Sequence, residues 1–359
     1  MKKNKTKQLI MNIIMMLMGA LAGFLIAIYI NKHDYSFLQL VYAFVCLIAG
    51  YMAGIIIHES GHLVTGLRSG YEFISFRIGS MTWVKENGKL SRKKFNIAGA
   101  GGQCLMMPPE SDKPENVPFV LYFLGGGLFN LTTAAIFIPC GLVIPNLYLS
   151  MPFLMLGLAS AFQCLINLIP LNLQLPNDGH NVVFYSKNKA ERIVLYKQLR
   201  INGLLHKGYE PSDLPEELFD FGEDNHGLGD LLKASLYIDR KDFSAAQIMI
   251  EQALDSGKLV SLYEYEAKSE LLFCKVVNGE PENEIEELYD KTLKNYISAA
   301  SKTQISKRRI MYAYYLIYKK DKESAAKEYN AAMSMKDTYP IAGELKSELS
   351  VIDYIKGID

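Results

Sequence analysis

The run His58-Glu59-Ser60-Gly61-His62 places two imidazoles four residues apart, with a carboxylate beside the first. On an α-helix such a pair shares one face, so both rings can reach a single metal ion. Glu59 sits where it can take a proton from water on that ion. Zinc is the metal expected from these ligand types, and it brings the pKa of such a water down to about 7. A catalytic zinc takes three protein ligands and keeps one position open. The third is expected to be Asp178, which follows an apolar run interrupted by Pro170 and Pro176 and precedes Gly179, at the same membrane level as His58. His33 falls on the opposite side of the membrane in the topology read below. His206 and His226 lie in the polar half of the chain, where an exposed histidine is ordinary.

The elements that must position these groups divide the chain in two. Before about residue 175 the apolar residues gather in long runs; after it the chain is charged and amphipathic. Four runs read as spanning helices, at about 8–30, 37–57, 117–144 and 150–170. The first follows Lys2, Lys3, Lys5 and Lys7, is too long for a signal-peptide core, and has no small-residue cleavage site after it. Basic residues crowd the segments after the second and fourth runs, which makes those segments, the N-terminus and the C-terminal half cytoplasmic. His58 and Glu59 end a span, where ionisable groups are costly and usually functional. The fold expected is mainly α: a polytopic membrane bundle of about four spans with a small β-hairpin, followed by a soluble all-α domain of helical hairpins.

Residues 71–98 break the helical pattern. Ile74, Phe76 and Ile78, then Met81 and Trp83, alternate with polar residues, and Asn87-Gly88 is a tight-turn signal flanked by Glu86 and Lys89. A hairpin with a returning strand over 89–98 is expected, then a glycine loop, Gly99-Ala100-Gly101-Gly102-Gln103. Residues 187–207 read as a basic helix at the membrane surface, and 210–230, acidic with several Pro and Gly, as a linker. Beyond it, helical hairpins are expected at 231–238 with 243–254, 264–277 with 284–294, and 309–318 with 323–333. The units are therefore 1–36, 37–185, 186–230 and 231–359.

Lys plus Arg equal Asp plus Glu at 38 each, so charge makes no case for a nucleic-acid partner. The five cysteines have no paired short spacing, which argues against a thiolate zinc site or a disulfide framework.

Over residues 37–185 the chain resembles the site-2 protease family, intramembrane zinc metalloproteases of membrane-associated proteins and peptides. That family pairs an H-E-x-x-H helix with a later N-x-x-P segment ending in Asp-Gly, here Asn167, Pro170, Asp178 and Gly179. The resemblance implies His58, His62 and Asp178 as zinc ligands and Glu59 as the catalytic base. The family's glycine-rich stretch ending in asparagine matches Gly125-Gly126-Gly127-Leu128-Phe129-Asn130, without the usual proline. It implies that Asn130 orients substrate or stabilises the oxyanion; helix packing is the plainer role for the glycines. The family's hairpin and glycine loop near the active site imply that Gly101, Gly102 and Gln103 bind substrate, as a strand edge pairing with an unwound backbone. His180 stands where a second glycine is common, and is read as facing substrate or solvent rather than the metal. The C-terminal hairpins resemble tetratricopeptide repeats with irregular spacing, a surface for a cytoplasmic protein partner. The activity implied is peptide-bond hydrolysis at a bacterial cell membrane. Two other readings are a metalloprotease acting on soluble peptides at the cytoplasmic face, and a membrane-anchored scaffold with a vestigial metal site.

Overall fold

A computed structural model describes residues 36–86, 88–95, 101–171, 176–222 and 227–358. The first expected span, the side chain of Glu86, Asn87, residues 96–100, His33 and His226 lie outside these. The chain is mainly helical, with a small antiparallel sheet and three helices long and apolar enough to cross a membrane.

Helix α1, Phe37–Arg68, is capped by a reciprocal Ser36–Gln39 box and runs 32 residues without a break. At 1.5 Å per residue it is about 48 Å long, so the two motif histidines sit on the same rod as the apolar stretch. Strands β1 (Glu72–Ile78), β2 (Met81–Glu86), β3 (Lys89–Lys94) and β4 (Gly102–Met107) follow, in the order β3-β2-β1-β4. Helices α2, Val120–Val143, and α3, Leu147–Leu168, complete the apolar bundle, each packing on α1 and on the other. Small residues permit this. A Cβ on Gly50 would lie 2.9 Å from the Leu156 backbone, and one on Gly61 2.3 Å from the Gly125 carbonyl oxygen. In an apolar solvent such close backbone approach replaces the hydrophobic drive for helix association.

The expected single hairpin is two hairpins and a fourth strand. Ile78 pairs with Met81 across a Gly79-Ser80 turn, and Glu86 pairs with Lys89. The alternation of Ile74, Phe76 and Ile78 changes phase at Met81, and that change marks the first turn. Gly102 and Gln103, read as loop, begin β4, which pairs with β1 on the other side. Strand β3 ends at Lys94 rather than continuing to residue 98.

Helix α5 (Lys189–His206) is the helix expected over 187–207, and a further helix, α4 (Asp178–Lys187), precedes it. The cations of α5 are used internally: Arg192 donates to the Glu115 carbonyl and Arg200 to Pro108 and Glu110. His206 is buried, contrary to expectation, and hydrogen-bonds the Asn202 carbonyl. Leu214 and Phe219 of the expected linker pack with Ile201 and Leu236, so this segment forms a small core of its own.

The C-terminal half comprises α6 (Leu228–Asp239), α7 (Phe243–Asp255), α8 (Ser261–Asn278), α9 (Glu282–Leu288), α10 (Lys291–Ala300), α11 (Ile305–Ala313), α12 (Lys322–Met333) and α13 (Ala342–Lys356). The first expected hairpin is α6 with α7. In the second, the returning helix breaks at Tyr289-Asp290, where Asp290 caps α10. The third is α11, extended by the π-turn stretch Tyr314–Tyr318, with α12. Helix α13 goes beyond the sequence reading and packs on α5 and α11.

Candidate metal centre

His58 and His62 lie on α1 one turn apart, and both are buried. Asp178 reaches them from the first turn of α4. Nε2 of His58 is 3.1 Å from Nε2 of His62, and Oδ2 of Asp178 is 3.2 Å and 3.4 Å from the two nitrogens. Among the described residues these three form the one His, Cys, Asp or Glu group that can hold a metal ion, all donor atoms lying within 4.8 Å of one another. Three donors held tetrahedrally about 2.0–2.2 Å from a zinc ion stand roughly 3.3–3.6 Å apart. The observed separations are at or just below that range, so the residues present fit a zinc ion.

The surroundings aim the donors. His62 Nδ1 is 2.7 Å from the Tyr122 carbonyl, a bond that fixes the ring and turns Nε2 toward Asp178. Burial pushes the Asp178 carboxyl up, but hydrogen bonds from His58 and His62 outweigh it and hold the group down at about 2. It is therefore an anion at any physiological pH.

Asp178 is placed by local chemistry that the sequence only hinted at. Asn177 caps α4 by accepting from His180 N, and its amide donates to the Ile166 and Ile169 carbonyls at the end of α3. A Cβ on Gly179 would lie 2.1 Å from the Leu168 carbonyl oxygen, so this contact admits glycine alone. The Pro-Asn-Asp-Gly string thus staples α4 to α3. His180 stacks on Phe184 with ring centroids 5.9 Å apart and is not one of the grouped donors.

The three glycines of α2 face three different neighbours. A Cβ would lie 2.1 Å from Thr65 Oγ1 at Gly125, 2.5 Å from the His58 ring at Gly126, and 2.4 Å from Leu168 at Gly127. Packing is therefore their role, and at Gly126 the packing is against the His58 ring. Asn130, fully buried, has Nδ2 3.4 Å from His58 Nδ1 and 3.2 Å from Gln163 Oε1. Gln163 in turn donates to the Tyr51 carbonyl. Sequence reasoning missed Gln163, although a buried amide in an apolar span was the available signal. With Nδ2 toward His58, the imidazole carries its proton on Nε2. A half-turn of the amide would put Oδ1 there, move the proton to Nδ1 and free Nε2 for a metal.

Gly102 abuts Glu59: a Cβ there would lie 2.7 Å from Glu59 Cγ and Oε1. Buried Arg77, also missed, donates to the Gly79 and Gly102 carbonyls, and its charge acts on Glu59 without touching it. Gly101 rests on Ile55, and Gln103 is exposed on β4, an edge strand. The edge carbonyls of Gly102 and Cys104 already accept from Arg77 and from the Tyr122 hydroxyl. A substrate strand pairing here would have to share those acceptors.

Comparison of the chain with protein-family models, curated proteins and solved structures returned no match.

Proposed function

We propose that this protein is a zinc metalloprotease that hydrolyses peptide bonds of membrane-associated proteins or peptides, in the manner of the site-2 protease family. The observation that supports it most is the convergence of His58, His62 and Asp178 next to Glu59, at the end of the apolar stretch of α1. Residues 37–57 cover about the 30 Å of a bilayer's hydrocarbon core, so the ligands fall near its edge and a scissile bond would be reached there.

In this reading His58, His62 and Asp178 would hold a zinc ion, which would supply Lewis acidity. Glu59 accepts the proton of the attacking water and returns it to the leaving amine. Asn130 steadies His58, the Tyr122 carbonyl steadies His62, and Arg77 keeps Gly102 against Glu59. The Gly101–Gln103 end of β4 borders the place where an unwound substrate would lie. The C-terminal helices offer a surface for a protein partner or a substrate tail.

The test compares membrane protein fragments from cells carrying wild type or Glu59→Gln. New peptide termini close to membrane spans, present with wild type and absent with Glu59→Gln, are expected. Identical fragment sets, together with an unchanged cellular phenotype, would favour the scaffold reading instead.

A further inference from the structure

The sheet has two unlike faces, and the pairing register sorts its residues between them. Phe76, Trp83, Arg92 and Cys104 stand opposite one another across the four strands, as do Ile78, Met81, Lys94 and Gly102. On β1 and β4 this face packs on α1: Cys104 and Phe76 cluster with Leu63 and Tyr122, and Gly102 meets Ile55 and Glu59. The opposite face carries buried Ser75, Thr82 and Val84, and Lys93, which donates to the Asp337 carbonyl of the helical domain. Phe95, next on that side, packs into the helical domain's core.

Strands β2 and β3 therefore overhang α1 with their first face uncovered. Met81 is 47% exposed and Leu90 67% exposed, with Trp83 half-buried between them. Arg92 and Lys94 stand exposed on the same face, and neither joins an ion pair among the described residues. The depth is also fixed. Strand β1 leaves α1 just after Arg68 and runs back alongside it, until Gly102 beside Ile78 touches Ile55 and Glu59. The overhang thus flanks the part of α1 where its apolar stretch gives way to polar residues.

An indole, two large aliphatic groups and two free cations on one face match a bilayer's interfacial zone. Tryptophan favours the headgroup level, and Lys or Arg there gains from anionic lipid. We propose that the β2–β3 overhang is a lipid-docking surface, with Trp83, Met81 and Leu90 seated in the interface and Arg92 and Lys94 binding anionic headgroups. The inference rests on reading the three apolar helices as spans, but not on zinc or on proteolysis.

Trp83 is the chain's one tryptophan, so its fluorescence reports on this face alone. The full chain is reconstituted in vesicles of neutral phosphatidylcholine, with or without a share of phosphatidylserine, whose acyl chains are brominated near the headgroup end. Bromolipid is expected to quench Trp83, more strongly in the anionic vesicles, and Arg92→Glu with Lys94→Glu should remove the anionic increment. Trp83 quenched by aqueous iodide and untouched by bromolipid would overturn the proposal, as would quenching indifferent to lipid charge. An alkaline carbonate wash of the same vesicles distinguishes the two failures. Chain released by the wash refutes the spanning reading itself, whereas chain retained with an unquenched Trp83 refutes only the docking surface.

Discussion

At the scale of single residues, the centre depends on contacts as short as its ligand distances. Gly126 lets the His58 ring lie against α2, and the methyl of Gly126→Ala would enter that ring at 2.5 Å. The expected result is a protein that folds but binds zinc at least about 10-fold more weakly, read by competition with a chelator. Asn130→Leu removes the polar partner of His58 Nδ1, and loss of such a supporting bond costs about 10- to 100-fold in metal affinity. Equal affinity in that variant would show that Asn130 does not steady the ligand. The H-E-x-x-H spacing and the Asp-Gly step were legible because metal ligation demands particular side chains at helical spacing. Gln163, Arg77 and the Tyr122 carbonyl were not. Arg77 reaches Gly102 across 25 residues of chain, Gln163 reaches Asn130 across 33, and the Tyr122 carbonyl reaches His62 across 60, which no local pattern encodes.

At the scale of elements, apolar runs and turn signals carried the reading furthest. Two of the apolar runs emerged as helices within a few residues of their expected bounds, and Glu86 pairs with Lys89 as the expected hairpin requires. Strand β4 was missed because Gly101-Gly102 reads as loop; its strand state comes from pairing with β1 and from lying against Glu59. In the helical domain, buried Lys307 and Arg309 meet Glu266, Glu270 and Glu348 across α8, α11 and α13. Removing one partner of a buried pair costs about 3–5 kcal/mol, so Arg309→Ala should lower the domain's unfolding midpoint sharply in denaturant titration. Glu344 on α13 gives this domain a pH dependence. Burial and the neighbouring Glu348 raise its carboxyl from 4.5 to about 7, although Tyr339 and Lys307 act the other way. The native state then holds more protons than the unfolded state between those values. Stability should fall as pH rises from 4.5 to 7 and level off above. Hydrogen exchange across Ala342–Lys356 should show this, with the slope reduced in Glu344→Gln.

At the scale of the molecule, the sheet joins the two halves. One face packs on the helix that carries His58 and His62, and the other receives the helical domain through Lys93 and Phe95. Helix α13 adds a second bridge, since Gly343 lies hard against the Tyr209 carbonyl. A partner bound to the helical domain would thus act on a body in contact with the strands beside Glu59. This organisation was not legible from composition, which shows the chain changing character near residue 175 but not that its halves meet. The measurement that tests the central claim is the zinc content of the full chain purified in detergent, beside His62→Ala and Asp178→Ala. The account predicts about one zinc per wild-type chain, lost in both variants while their helical content is unchanged. A folded wild type without zinc, or variants that keep it, would contradict the metal centre and the protease reading built on it.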